Sequence, residues 1–162
     1  MSWSVFGAFA LVNFVAASSG GLFKPGQWYE RLNKPNWIPP NWAFPTVWSV
    51  LFLLNAVAGS LAWEATGGGA ASKDLAPFIV YGVSLGLNFL WSALFFGLKR
   101  MNFALGEVAL LWLSLVAQIA VFAPLSPIAA FLGVPYLAWV TIAAFLNLRM
   151  IQLNNPSEAA AV

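Results

Sequence analysis

The sequence predicts an all-α integral membrane protein, a bundle of five transmembrane helices with an aromatic, proline-rich first loop acting as a lid. Three observations carry that prediction. Of the 162 residues, 61% are hydrophobic and only 7% are charged, whereas a soluble domain uses about 25% charged residues to cover its surface. The apolar residues fall into five runs, each near the roughly 20 residues that a helix needs to cross the hydrocarbon of a bilayer. Those runs must be helical, because open backbone in lipid leaves its N–H and C=O groups unpaired. Finally, the stretch from Phe23 to Trp48, FKPGQWYERLNKPNWIPPNWAFPTVW, holds four of the nine tryptophans and five of the ten prolines.

The runs cover residues 4–22, 44–65, 75–98, 103–122 and 127–150 of a single domain, 1–162, with the lid loop at 23–43. The first ends in AASSGG, which resembles a cleavage site, yet it lacks the basic leading region of a signal peptide and reads as a membrane helix. Gly67, Gly68 and Gly69 break the chain after the second. Pro77 stands near the start of the third, where a missing N–H costs least. Pro124 and Pro127 bracket the turn before the fifth, and Pro135 inside it is expected to kink it.

Charge gives the sidedness. Five spans place Lys24, Arg31, Lys34, Lys99, Arg100 and Arg149 on the side of the first loop and only Lys73 on the other. The positive-inside rule then expects the first loop and the carboxyl terminus to be cytoplasmic. Cysteine and histidine are both absent, so thiolate metal sites, disulfides and imidazole chemistry are excluded, and no metal site is expected. A net charge of +2 is too small to argue for a nucleic-acid partner. No two carboxylates are placed for acid/base work, and no catalytic residue stands out. No repeat of 20 to 50 residues and no inverted symmetry is found, which argues against the common transporter plans.

Each span carries a side-chain amide: Asn13, Asn55, Asn88, Gln118 and Asn147. In hydrocarbon such groups face the bundle interior, either bonding helix to helix or meeting a ligand. Helical spacing puts Phe44, Trp48, Phe52, Asn55 and Gly59 on one stripe of the second span. Ser84, Asn88, Trp91 and Phe95 form another on the third, and Tyr136, Trp139, Ala143 and Asn147 a third on the fifth. Rings with a few polar groups suit an apolar ligand pocket, and they equally suit aromatic core packing. Pro35, Pro39, Pro40 and Pro45 stiffen the first loop, so that it reads as a cover with Trp28, Trp37 and Trp42 held in defined positions. The same tryptophans also fit an interfacial belt. Gly82 and Gly86 make a small-xxx-small pair, read either as a homodimer contact or as a tight crossing within one bundle. Glu107 shares a stripe with Ser114 and Gln118 on the fourth span, which opens an interior role for it.

Together, Lys24-Pro25, Trp28-Tyr29, NKPNWIPPNWAFPTVW at 33–48, NFLWSALFFGLKRM at 88–101 and PYLAW followed by LN within 135–147 resemble the translocator protein family, TspO/MBR. It comprises the bacterial tryptophan-rich sensory proteins and the peripheral benzodiazepine receptor. The resemblance implies a five-helix bundle, usually a homodimer, whose pocket opens toward the first loop. It implies binding of porphyrins such as protoporphyrin IX, of sterols, and of isoquinoline or benzodiazepine-type compounds, with no obligatory cofactor. The family's pocket residues match at Trp28, Trp42, Phe44, Trp48, Asn88, Trp91, Trp139, Ala143 and Asn147. The expected role is a membrane receptor or sensor in tetrapyrrole and stress regulation. The alternatives are light-dependent porphyrin breakdown using Trp48 and Trp139, and transport of porphyrin or lipid. Two positions depart from the family's pattern: Asn36 stands where bacterial relatives often have a tryptophan, and Leu148 where the cholesterol pattern of the animal proteins has a tyrosine. Lys24, Tyr29 and Leu32 fit the reversed form of that pattern.

Overall fold

Among the described residues, five helices are long and apolar enough to cross a membrane: Trp3–Leu22, Ala43–Ala65, Ala76–Gly97, Met101–Phe122 and Pro127–Asn154. A computed structural model describes residues 2–67 and 75–154, so Gly68, Gly69 and Lys73 of the second loop lie outside the described residues. In chain order the elements are α1 (Trp3–Ala17), α2 (Ser19–Leu22), α3 (Gln27–Arg31), α4 (Ala43–Ala65), α5 (Ala76–Ser92), a π-helical turn (Ala93–Gly97), α6 (Met101–Phe122) and α7 (Pro127–Asn154).

The first span is broken at Ser18 into α1 and α2, and the expected loop contains the short helix α3. Pro127 opens α7, and the helix runs unbroken through Pro135 to Asn154, beyond the apolar run that ends at Met150. That extra turn pairs apolar Ile151 and Leu153 with polar Gln152 and Asn154, and the lid described below holds it. The third span changes character at its end. Leu98 N–H donates to the Ala93 carbonyl and Arg100 N–H to the Leu94 carbonyl, and Lys99 between them takes a left-handed φ of 57°. This is a terminus of the kind that usually recruits glycine.

The spans close into a ring. Packing runs from α1 to α4, α4 to α7, α7 to α6, α6 to α5, and from α5 back to α1. Because successive spans alternate in direction, the starts of α4 and α6 and the ends of α5 and α7 share the lid side.

A polar network crosses the middle of this ring. Asn13 on α1 donates to the Tyr81 hydroxyl, and Asn55 on α4 donates to Asn13 Oδ1 at 3.0 Å. Gln118 on α6 donates to Asn55 Oδ1 at 2.8 Å, and Ser84 on α5 donates to Gln118 Oε1 at 2.8 Å. Tyr81 closes the circuit by donating to the Asn55 carbonyl at 3.1 Å. Four spans are thereby bonded through buried amides, each partner answering a group that would otherwise cost about 1–3 kcal/mol to bury. Around the network pack Ala58, Ala62, Phe122 and Ala129, with Phe9 and Phe78 at their edge.

Close helix approach rests on Gly59 and Gly133. A methyl group on Gly59 would stand 2.5 Å from the Phe9 ring, and one on Gly133 would stand 3.0 Å from Ile119. Gly82 and Gly86 do neither: both lie exposed on the outside of α5, with open space where a Cβ would be. The expectation of a tight crossing at that pair within one bundle is therefore corrected, because the pair points away from every span of its own ring.

Candidate ligand-binding site

Toward the lid from the amide network and its ring of Phe9, Trp63, Phe78, Tyr81 and Phe122, a second group of rings fills the interior. Leu51, Val108, Leu111, Leu115, Tyr136 and Val140 form a buried cluster, and Trp48, Trp91 and Trp139 all pack against it. Trp48 stacks on Phe52 at 5.6 Å and meets the Tyr136 ring edge-on at 5.8 Å. Phe44 meets Trp139 edge-on at 5.9 Å. The structure thus gathers Phe44, Trp48, Trp91 and Trp139 from three spans, as their stripes predict. Asn88 is buried beside the Tyr136 hydroxyl, and Ala143 is half-buried on α7.

The polar groups of this half are unlike those of the network. Trp91 Nε1, Trp139 Nε1, both Glu107 carboxyl oxygens and Asn147 Oδ1 are buried and find no hydrogen-bond partner among the described residues; on the network side only Ser60 Oγ shares that condition. Asn147 is satisfied only on its donor side, where Nδ2 bonds the Met101 carbonyl at 2.9 Å and ties α7 to the start of α6. A nearby indole behaves differently. Trp112 Nε1 donates to Thr141 Oγ1 at 2.9 Å, and that hydroxyl donates on to the Leu137 carbonyl. Among the described residues, the buried indole N–H groups without a partner are thus those of the two rings packed into this aromatic cluster.

The lid closes the same side. Trp28, Tyr29 and Leu32 pack against Phe95, Met101, Ala104, Met150 and Ile151, and Trp28 meets the Phe95 ring at 5.9 Å. The π-helical turn is what delivers Phe95, which in turn stacks on Trp91 at 5.1 Å. Trp28 is therefore linked to the aromatic cluster through Phe95 and Trp91. Burial raises the Tyr29 phenol above its ordinary range. Lys34 folds back over the Tyr29 ring and donates to the Glu30 and Leu32 carbonyls, while Lys24 and Arg31 stay exposed at the mouth.

Two of the expected lid rings are placed elsewhere. Trp37, 52% exposed, lies over an open groove on the outer face of α7 with Ile142, Phe145, Leu148 and Arg149. Trp42, 69% exposed, stands at the amino-terminal cap of α4. Both sit where interfacial tryptophans sit. Pro39 is half-buried and Pro40 exposed in the same stretch, and Asn36 is exposed as well. The residue that the stripes underweighted is Glu107, 5% exposed on the inner face of α6 between Ala104 and Leu111. Its spacing to Gln118 carried the signal.

Comparison with known proteins agrees with this architecture. The TspO/MBR family pattern matches residues 8–153. The tryptophan-rich sensory protein of Cereibacter sphaeroides is 40% identical over 162 residues, covering 99% of each chain. Protein CrtK of Rhodobacter capsulatus is 36% identical over 160 residues, 98% of this chain and 97% of the relative. The human translocator protein is 34% identical over 142 residues, 86% and 83% of the two chains. With five membrane-spanning helices and a match over nearly its whole length, this multi-pass membrane protein belongs to the TspO/MBR family.

Proposed function

We propose that the protein is a membrane receptor for a planar tetrapyrrole of the protoporphyrin IX type, bound in the lid-side half of the ring. The observation that carries this reading is the division of the interior. One half answers its amides completely, while the other buries donors and acceptors among tryptophan rings without answering them. A porphyrin has two apolar faces for Trp48, Trp91 and Trp139, and acidic propionates for Lys24 and Arg31 at the mouth. Six basic residues lie on that side, which supports a cytoplasmic lid. The outward Gly82 and Gly86 support a homodimer through α5.

Titration of the purified protein with protoporphyrin IX, followed by tryptophan quenching, tests the reading. Saturable binding of one porphyrin per chain, weakened about tenfold or more by Trp139→Leu, is expected from the cost of losing a ring wall. Absence of saturable binding would refute it.

A further inference from the structure

Trp37 and the outer face of α7 enclose an open furrow of about 370 Å³, with the indole as one wall and Ile142, Phe145, Leu148, Arg149 and Gln152 as the other. Local bonds hold the ring there. Pro35 is buried, and the Ile38 N–H donates to the Pro35 carbonyl at 3.1 Å, a turn with exposed Trp37 at its crest. Just before it in the chain, Asn33 is bonded to Asn154 at the end of α7. The loop therefore crosses from the tip of α7 to its outer face, and the furrow is a junction between lid and helix.

The position of the furrow says what fills it. By helix rise Ile142 stands about 10 Å below Arg149, inside the roughly 15 Å that one leaflet contributes to the hydrocarbon. Exposed Ala138 and Pro135 continue the same stripe deeper with short side chains. An unfilled furrow forfeits dispersion contacts, and an acyl chain has the shape to restore them. The apolar wall alone cannot choose among lipids, because every lipid tail is as apolar as leucine. The choice falls to the mouth. There Arg149 Nη1 donates to Gln152 Oε1 at 2.9 Å, which orients the guanidinium beside the furrow. Among the described residues this leaves its other N–H groups and the Gln152 amide nitrogen as donors. None of the described residues lining the furrow is acidic. Donors grouped around one positive charge match a phosphate. A sterol offers only a neutral hydroxyl, and the same face of a second copy would bring no carboxylate.

We propose that the furrow binds one anionic glycerophospholipid of the lid-side leaflet, with its phosphate on Arg149 and Gln152 and one acyl chain lying along Phe145 and Ile142 against Trp37. Because Trp37 belongs to the lid and the other walls to α7, the bound lipid bridges the two and adds to the Asn33–Asn154 bonds in holding the lid down. This site is separate from the interior one and does not depend on the tetrapyrrole reading: Phe145, Arg149 and Gln152 face outward, while Leu146, Asn147 and Met150 are buried on the opposite face of α7.

The test adds dioleoylphosphatidylglycerol or dioleoylphosphatidylcholine, at equal concentration, to the full chain in detergent and counts retained lipid by native mass spectrometry. Wild type should retain one phosphatidylglycerol per chain with about fivefold preference, the worth of one cation at an anionic headgroup. Arg149→Gln should hold the two lipids within about twofold of each other, and Arg149→Lys should restore most of the preference. Lys99→Gln removes the same charge at the end of α5, across the ring from α7, and should leave the preference intact. Hydrogen exchange of residues 33–42 should slow several-fold when phosphatidylglycerol is added to wild type, but not when it is added to Arg149→Gln. Equal retention in wild type, a preference that survives in Arg149→Gln, or one lost as fully in Lys99→Gln would overturn the proposal. So would displacement of the phosphatidylglycerol by equimolar cholesterol, which would make the furrow a sterol site, or a dimer that Arg149→Gln dissociates, which would make it a protein interface. Unchanged exchange at 33–42 would overturn the bridging of the lid.

Discussion

Asn33 and Asn154 hold each other by reciprocal hydrogen bonds: Asn33 N–H donates to Asn154 Oδ1 at 2.9 Å, and Asn154 Nδ2 donates to the Asn33 carbonyl at 3.0 Å. The lid is thereby latched to the last turn of α7, whose Met150 and Ile151 pack with Phe95 and Met101 beneath it. Asn154→Ala should release the latch. Two exposed bonds, each worth about 0.5–1.5 kcal/mol, would then be lost, and porphyrin should dissociate several-fold faster. Stopped-flow dissociation reads this directly, and an unchanged rate would show that the lid does not gate release.

The amide network makes a different prediction. Asn55 both donates to Asn13 and accepts from Gln118, so Asn55→Leu strands two buried partners. A loss of about 1–3 kcal/mol of stability is expected, seen as a lower melting temperature in detergent. Asn88→Leu, in the lid-side half, should lower porphyrin affinity with a smaller thermal effect. The opposite ranking would contradict the division of the interior.

Glycines separate in the same way. Gly59→Ala places a methyl on the Phe9 ring and should cost about 1–3 kcal/mol through overpacking at the α1–α4 crossing. Gly82→Ala and Gly86→Ala meet open space and should leave the monomer's stability unchanged or slightly raised. A leucine at both sites should shift the protein toward monomer in analytical ultracentrifugation if α5 forms the dimer face.

Lys99 carries backbone strain at the end of the π-helical turn. Lys99→Gly relieves a left-handed conformation that costs a side-chain-bearing residue about 1–2 kcal/mol, partly offset by glycine's greater freedom in the unfolded chain. A net gain of about 0.5–1 kcal/mol should appear in thermal unfolding. A loss would show that the lysine side chain itself holds the turn.

Much of this was legible in the sequence, for a physical reason. A span must satisfy its own backbone in lipid, so length and apolarity mark helices directly, and the 3.6-residue period placed Trp48, Asn88, Trp91 and Trp139 on inward faces. Residues whose position depends on tertiary placement were not legible. Trp37 and Trp42 share the loop's composition with Trp28, yet only Trp28 turns onto Phe95, because α3 and the Asn33 latch orient it. Small-xxx-small spacing marked Gly82 and Gly86, while the close crossings fell to Gly59, on the inward stripe of its span, and to Gly133, which shares that spacing with Ala129. The π-helical turn left no sequence signal, since ALFFG continues an ordinary apolar run. Glu107 was visible as a stripe with Gln118, but only the ring of helices shows that one of the two is answered and the other is not.

The claim that ligand binds the lid-side half is tested most directly by protoporphyrin titration of two tryptophan variants. Trp139 packs in the lid-side aromatic cluster, and Trp63 lies at the far end against Phe9 and Phe78. The account predicts that Trp139→Leu weakens binding about tenfold or more while Trp63→Leu leaves it within about twofold. Equal weakening by both, or loss only with Trp63→Leu, would contradict it.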